Sequence, residues 1–223
     1  KRRAPIDLSG TDMKKVAILL GLAMCWAPTG FTAEANPAGD VAAGKAQTAV
    51  CAACHGADGN SAVPNFPKLA GQGEKYLYKQ LKDIRDGARP VPTMVGQLDG
   101  KSNQDLADIA AYYASQSSTG GQTDPALLAL GEAVYRGGIP ERKVAACAGC
   151  HSPTGKGNAP AGFPRLAGQH ADYIAAQLIS YRKGYEDETG RTNDGDTRIM
   201  RTTAFGLSDL EIQAVASYAA GLH

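Results

Sequence analysis

Aromatic side chains are scarce: they make up 6% of 223 residues, with a single Trp and four Phe. A core built only of bulky side chains would be thin at this length, which leaves room for a non-protein filling. Charge of one sign is also missing. Lys and Arg number 23 against 22 Asp and Glu. That balance argues against a nucleic-acid partner and against a solvated acidic tail. Histidine is rare, at four residues, and no segment alternates apolar and polar residues as a half-buried strand does. The hydrophobic share, 43%, is ordinary for a soluble globular protein. The length suits one large domain or two small ones.

The longest apolar run, Val16 to Met24, is too short to span a bilayer comfortably. Lys14 and Lys15 precede it, and small residues ending Ala33-Glu34-Ala35 follow it. This is the order of a secretory signal, with cleavage expected before Asn36. Residues 1–12 lie upstream of Met13, the expected true start, and read as extra translated sequence with no structure of their own. Residues 1–35, including Cys25, are therefore set apart from the fold. Without them, 18 basic residues face 19 acidic ones, four Cys remain, and two Met remain, Met94 and Met200.

The remainder reads twice. Cys51-Ala-Ala-Cys54-His55 returns as Cys147-Ala-Gly-Cys150-His151, 96 positions later. Phe66-Pro67-Lys68-Leu69-Ala70-Gly71-Gln72 returns as Phe163-Pro164-Arg165-Leu166-Ala167-Gly168-Gln169, and Tyr76, Gln80 and Arg85 return as Tyr173, Gln177 and Arg182, all 97 later. Met94 returns as Met200, and Tyr112 as Tyr218, both 106 later. A nine-residue insertion therefore falls in the second half, between Arg182 and Met200. A polar, Gly-rich stretch over 117–124 reads as the linker. We expect two homologous domains, 36–118 and 119–223.

Each half has the same helical layout. Helices are expected over 41–50 and 125–135, the second with Asp124 as N-cap and Pro125 at its first position. A second pair spans 74–86 and 171–183, with Gly87 and Gly184 just past their ends. The last pair opens on Ser102-x-x-Asp105 and Ser208-x-x-Glu211, both with capping-box spacing. Apolar positions 106, 109, 110 and 113 repeat as 212, 215, 216 and 219, the stripe of one buried helix face. The fold class expected is all-α, loop-rich, in two tandem domains.

Cys-x-x-Cys-His is the signature of covalent haem attachment. Two thiols three positions apart can each add to one vinyl group of the same porphyrin, and the adjacent histidine offers a nitrogen to the iron. A disulfide at each pair, or one Cys₄ zinc site joining both pairs, would leave the histidine after each pair unexplained. Cys51, Cys54, Cys147 and Cys150 are thus the expected attachment points for two haem c groups, with His55 and His151 as iron ligands. The two remaining Met lie at equivalent places downstream. Met94 follows Pro90 and Pro92 in a loop that should not be helical. A thioether in the sixth position closes the iron and raises its potential, so Met94 and Met200 are the expected second ligands. His170 has no counterpart in the first half and His223 is the last residue, so both are expected on the surface. The carbonyl of Pro67 or Pro164 either accepts the ring N–H of the ligating histidine or simply belongs to a turn beside Phe66 or Phe163. Arg85/Arg182 and Tyr76/Tyr173 either meet haem propionates, face the other domain, or lie on helix surfaces.

Taken with Val50-Cys-Ala-Ala-Cys-His-Gly-Ala-Asp-Gly-Asn60, Asn65-Phe-Pro-Lys-Leu-Ala-Gly-Gln72 and Arg191-Thr-Asn-Asp-Gly-Asp-Thr-Arg-Ile-Met200, these features make the chain resemble the dihaem cytochrome c4 family over essentially all of 36–223. The resemblance implies two class I cytochrome c domains related by a pseudo-twofold axis, with haem propionates approaching each other between them. It implies His/Met ligation by His55 with Met94 and His151 with Met200. It also implies a periplasmic electron carrier, not an enzyme, often loosely held at the membrane, taking electrons from a respiratory donor and feeding a terminal oxidase. The runner-up is the haem subunit of a flavin- or sulfur-oxidising dehydrogenase.

Overall fold

The structure is a computed structural model and describes residues 36–187 and 189–223. The expected signal and extension, 1–35, lie outside the described residues. Nine α-helices follow in order among the described residues: α1 (Val41–Gln47), α2 (Ala49–His55), α3 (Glu74–Arg85), α4 (Asn103–Ala114), α5 (Leu128–Gly137), α6 (Ala148–His151), α7 (Ala171–Glu186), α8 (Ile199–Phe205) and α9 (Asp209–Ala220). No strand occurs among them; there are only two isolated bridges, Ile139 with Val144 and Asn158 with Phe163. The all-α expectation holds.

Several boundaries moved, each for a local reason. The single helix expected over 41–50 breaks at Thr48, whose hydroxyl donates to Lys45 O at 2.9 Å. Such local side-chain bonds compete with helix continuation. Asp124 does not cap α5. Its carboxylate accepts from Ala126 N at 2.9 Å, and the helix starts at Leu128. Gly184 does not end α7 but lies inside it. A Cβ there would stand 2.3 Å from Arg191 O, because the inserted segment folds back against the helix at that point.

The capping boxes form as expected at α4 and α9. Glu211 also accepts from Arg142, and that guanidinium holds its carboxyl down at about 2. A carboxyl depressed in the folded state contributes stability that is full above its ordinary pKa of 4.5 and fades as pH falls toward 2. Glu211→Gln is expected to lower the melting temperature at pH 6 by about 3 °C, on the scale of about half a kcal/mol for a solvent-screened pair. Below the folded pKa, at about pH 1.5, the two proteins should melt nearly together.

Two separate cores result. In the first half α1 and α3 pack on α4, burying Leu77, Leu106, Ile109, Tyr112 and Tyr113. In the second, α5 and α7 pack on α9, burying Val134, Tyr135, Ile174, Ile212, Val215 and Tyr218, with α8 lying on α7. The predicted stripes on α4 and α9 are all buried. The helix crossings match as well. A Cβ on Gly44 would meet Asp108 O at 1.9 Å, and one on Gly131 would meet Ala214 O at 2.3 Å. Asp108 and Ala214 are repeat partners, so both halves place a glycine where helix backbones touch.

The halves meet through reciprocal contacts. Gln72 donates to Arg165 O at 3.0 Å and accepts from Arg165 N at 2.7 Å. Its repeat partner Gln169 donates to Lys68 O at 2.8 Å and accepts from Lys68 N at 2.9 Å. Lys68 and Arg165 are themselves repeat partners, so the interface is isologous, as an approximate twofold requires. His170, expected on the surface, is half-buried where the halves meet: its Nε2 donates to Ser61 O of the other half at 2.9 Å. The linker is clasped by both halves. Asn60 binds Ser117 O and Thr119 N, and Asp124 N donates to Ser217 Oγ.

Candidate haem-binding sites

The last turn of α2 presents Cys51, Cys54 and His55, and the short α6 with the preceding Cys147 presents Cys150 and His151. Each helix stops at once after its histidine. Gly56 takes φ 80° there, and its counterpart Ser152 takes φ 67°, a left-handed value uncommon for a residue with a side chain. Such backbone strain gathers at functional sites.

Both histidines are held alike. His55 Nδ1 donates to Pro67 O and His151 Nδ1 to Pro164 O, each at 2.9 Å. Phe66 and Phe163 stand edge-on to the two rings, with centroids 6.2 and 6.3 Å away. The proline carbonyl thus orients the ring and the turn aromatic supports it; both readings of the repeated Phe-Pro hold. The two rings are 7% and 6% exposed. Burial pushes both imidazoles below their ordinary pKa, against an opposing push from the proline carbonyls. A neutral ring with its proton at Nδ1 leaves Nε2 with a free lone pair for a metal.

No disulfide joins Cys51, Cys54, Cys147 or Cys150. Burial raises the pKa of Cys51, and that of Cys147 to about 11. Surroundings that disfavour thiolate suit a neutral thioether better than a thiolate metal site. No cluster of three or more His, Cys, Asp or Glu gathers among the described residues, as one zinc site drawing on both pairs would require.

Met94 lies on a 3₁₀ turn, Pro92–Met94, so the expected non-helical loop is in fact one tight helical turn with proline at its start. Met200 lies in the first turn of α8. Both are half-buried. All eight residues, the four Cys, two His and two Met, line one continuous cavity of about 1230 Å³. A pocket for one drug-sized ligand is about 300–1,000 Å³. The wall is largely apolar, with Leu98, Ile109, Leu207 and Val215 among its residues. Tyr113, 1% exposed and on the same wall, has a hydroxyl with no hydrogen-bond partner among the described residues. An apolar, doubly furnished cavity with a buried orphan hydroxyl fits two porphyrins and supplies the filling that the aromatic-poor core lacks.

Not every expected polar residue reaches this cavity. Arg85 instead binds Lys101 O and Asn103 Oδ1, and Arg182 binds Leu207 O and Asp209 Oδ1. Arg85 thereby ties α3 to the start of α4, and Arg182 ties α7 to the start of α9. Tyr76 and Tyr173 do line the cavity, and so do Arg89 and Arg191, which sequence reasoning passed over. The insertion hides their equivalence, since they stand 102 apart and match neither repeat offset.

Comparison with known proteins agrees with this arrangement. The family model for cytochrome c matches residues 41–117 and 130–222. Cytochrome c4 of Pseudomonas aeruginosa is 59% identical over 194 residues, covering 87% of this chain and 94% of that protein. The crystal structure of reduced recombinant cytochrome c4 from Pseudomonas stutzeri superposes with a TM-score of 0.80 at 54% identity, covering 83% of this chain and all of that one. A thiosulfate dehydrogenase electron acceptor of Stutzerimonas stutzeri is 38% identical, covering 77% of this chain and 78% of that protein.

Proposed function

The chain belongs to the cytochrome c4 family and carries two covalent haem c groups, and on that premise we propose that it is a periplasmic carrier of single electrons rather than an enzyme. The domains divide at 118/119. Cys51 and Cys54 anchor the first haem and Cys147 and Cys150 the second. His55 with Met94, and His151 with Met200, hold the irons. The observation that carries this reading is the matched pair of histidines, each fixed through Nδ1 by a proline carbonyl on a cavity that also holds one methionine from each half.

Bound haem supplies one-electron cycling between Fe(III) and Fe(II). The chain's own residues do the rest. Pro67 and Pro164 fix the tautomer and tilt of each imidazole. Met94 and Met200 would hold the irons as thioether ligands, which would exclude water and gases and favour the reduced state. The apolar wall keeps the sites dry.

Export relies on the signal within 1–35. No helix among the described residues is long and apolar enough to cross a membrane, and the membrane association proposed is a peripheral one. The partners are a respiratory donor and a terminal oxidase. The halves carry 8 basic with 8 acidic and 10 basic with 11 acidic residues, so docking relies on local patches more than on a whole-molecule field. The relative printed as a thiosulfate dehydrogenase electron acceptor supports a second reading, in which the donor is a sulfur-oxidising dehydrogenase. A dehydrogenase copurifying in fixed ratio would favour it.

Carbon monoxide added to the dithionite-reduced protein is expected to leave the haem spectrum unchanged. A shifted spectrum at either haem would overturn closure by His and Met.

A further inference from the structure

Two arginines stand where the halves meet, 8% (Arg89) and 5% (Arg191) exposed. Arg89 donates to Gln80 Oε1 of its own half and to Tyr173 OH and Gln177 Oε1 of the other, all at 2.9 Å. Arg191 mirrors this. It donates to Gln177 Oε1 of its own half at 2.8 Å, and to Gln80 Oε1 and Tyr76 OH of the other at 2.7 and 3.4 Å. Gln80 and Tyr76 are the repeat partners of Gln177 and Tyr173. The arginines are therefore structural equivalents, and the insertion is split around Arg191.

Every hydrogen-bond acceptor of these two guanidiniums among the described residues is neutral. The nearby carboxylates are engaged elsewhere: Asp83 with Lys79 and Asn193, and Asp194 with Arg201. Two like charges buried together without a counter-charge are strongly unfavourable, and arginine does not shed its proton. Their field is felt locally. Burial alone would raise the pKa of Tyr76, yet the charges of Arg191 and Arg89 outweigh it and hold the phenol below its ordinary value. Both arginines line the cavity that holds the two Cys-x-x-Cys-His sites. The missing negative charge must come from what that cavity takes, and haem brings carboxylate side groups.

We propose that Arg89 and Arg191 form one shared cationic clamp that pairs with the acid groups of both haems, so that each arginine sets the potential of both irons. This rests on the dihaem reading above. A buried positive charge favours Fe(II), the less positive state, and low-dielectric surroundings extend its reach. Because each guanidinium bonds groups from both halves, its effect does not stop at the domain boundary.

The test uses the full holoprotein. Arg89→Gln and Arg191→Gln are prepared singly, with Arg89→Lys as the charge-retaining variant. The two potentials are followed separately through the shifted haem methyl resonances during redox titration. Each Gln variant is expected to shift the reduced-to-oxidised ratio of both haems about tenfold toward oxidised at a fixed potential, equivalent to about 59 mV for one electron. Arg89→Lys should keep most of both potentials, and it carries the test if the Gln variant fails to fold. A shift confined to the haem of the substituted half overturns the proposal. So does an unchanged pair of potentials in a less stable protein, or a Lys variant that loads both haems yet loses as much potential as Gln. Haem counting on the parent separates this from the underlying reading: fewer than two haems per chain would defeat the dihaem reading itself.

Discussion

Replacing Cys147 and Cys150 together by alanine is expected to leave the second domain unfolded while the first still loads its haem. The covalent bonds are only part of the reason. Two porphyrins are to fill a cavity of about 1230 Å³, and emptying about half of it, at about 24 cal/mol per Å³, costs on the order of 15 kcal/mol. Ordinary domains have only about 5–15 kcal/mol of net stability. The second core has little to offset such a loss, since its buried set beyond Tyr135, Tyr218 and Ile174 is mainly Val, Ala and Ile. Pyridine haemochrome analysis should fall from two haems per chain to one, helical circular dichroism should drop by roughly the share of α5 to α9, and protease should cut within 125–223. Two retained haems, or a protected second half, would show that these thiols do not anchor the cofactor.

The second large effect is expected at Met94. Met94→Ala should admit carbon monoxide to one haem of the reduced protein and leave the other closed, because Met200 sits in the other half on α8. The potential of the opened haem should fall by on the order of 0.1–0.3 V, within the roughly 0.8 V that axial ligands span. The fold should survive. Met94 is only half-buried, and its 3₁₀ turn is held by backbone bonds, Met94 N to Val91 O and Gln97 N to Met94 O, that the substitution keeps. Half the parent haem content shifting in a carbon monoxide difference spectrum checks the assignment. A variant whose potentials and gas binding match the parent's would remove Met94 from the ligand set.

Most of the site was legible before any coordinates because its chemistry is local or repeated. Cys-x-x-Cys-His packs both thiols and an imidazole into one helical turn, and its second copy removes chance. The Met pair was found by elimination within the repeat. The Phe-Pro pairs were legible as a motif but not as an action, since the bond from ring to carbonyl depends on how a loop 12 or 13 residues away returns to the histidine. Gly184 misled because a glycine near a helix end usually marks a stop. Here it lets the backbone of Arg191 come close. Arg85 and Arg182 misled differently: their recurrence was real, but it served helix-to-helix ties within each half.

The sequence alone determined the all-α class, the doubling and the two covalent cofactors, and it named the eight residues proposed to hold them. Each of these rests on spacing within one turn or on one segment compared with its own copy. Tertiary structure alone decided that the two sites share a single cavity, that Gln72 and Gln169 reciprocate across the halves, that His170 bonds Ser61, and that Arg89 and Arg191 meet as equivalents. Those contacts join residues 80 to 115 positions apart through neutral or like-charged groups. Nothing in local propensity or in hydrophobic period encodes such pairings. They follow only once two similar domains pack face to face and bring their polar side chains into one buried seam.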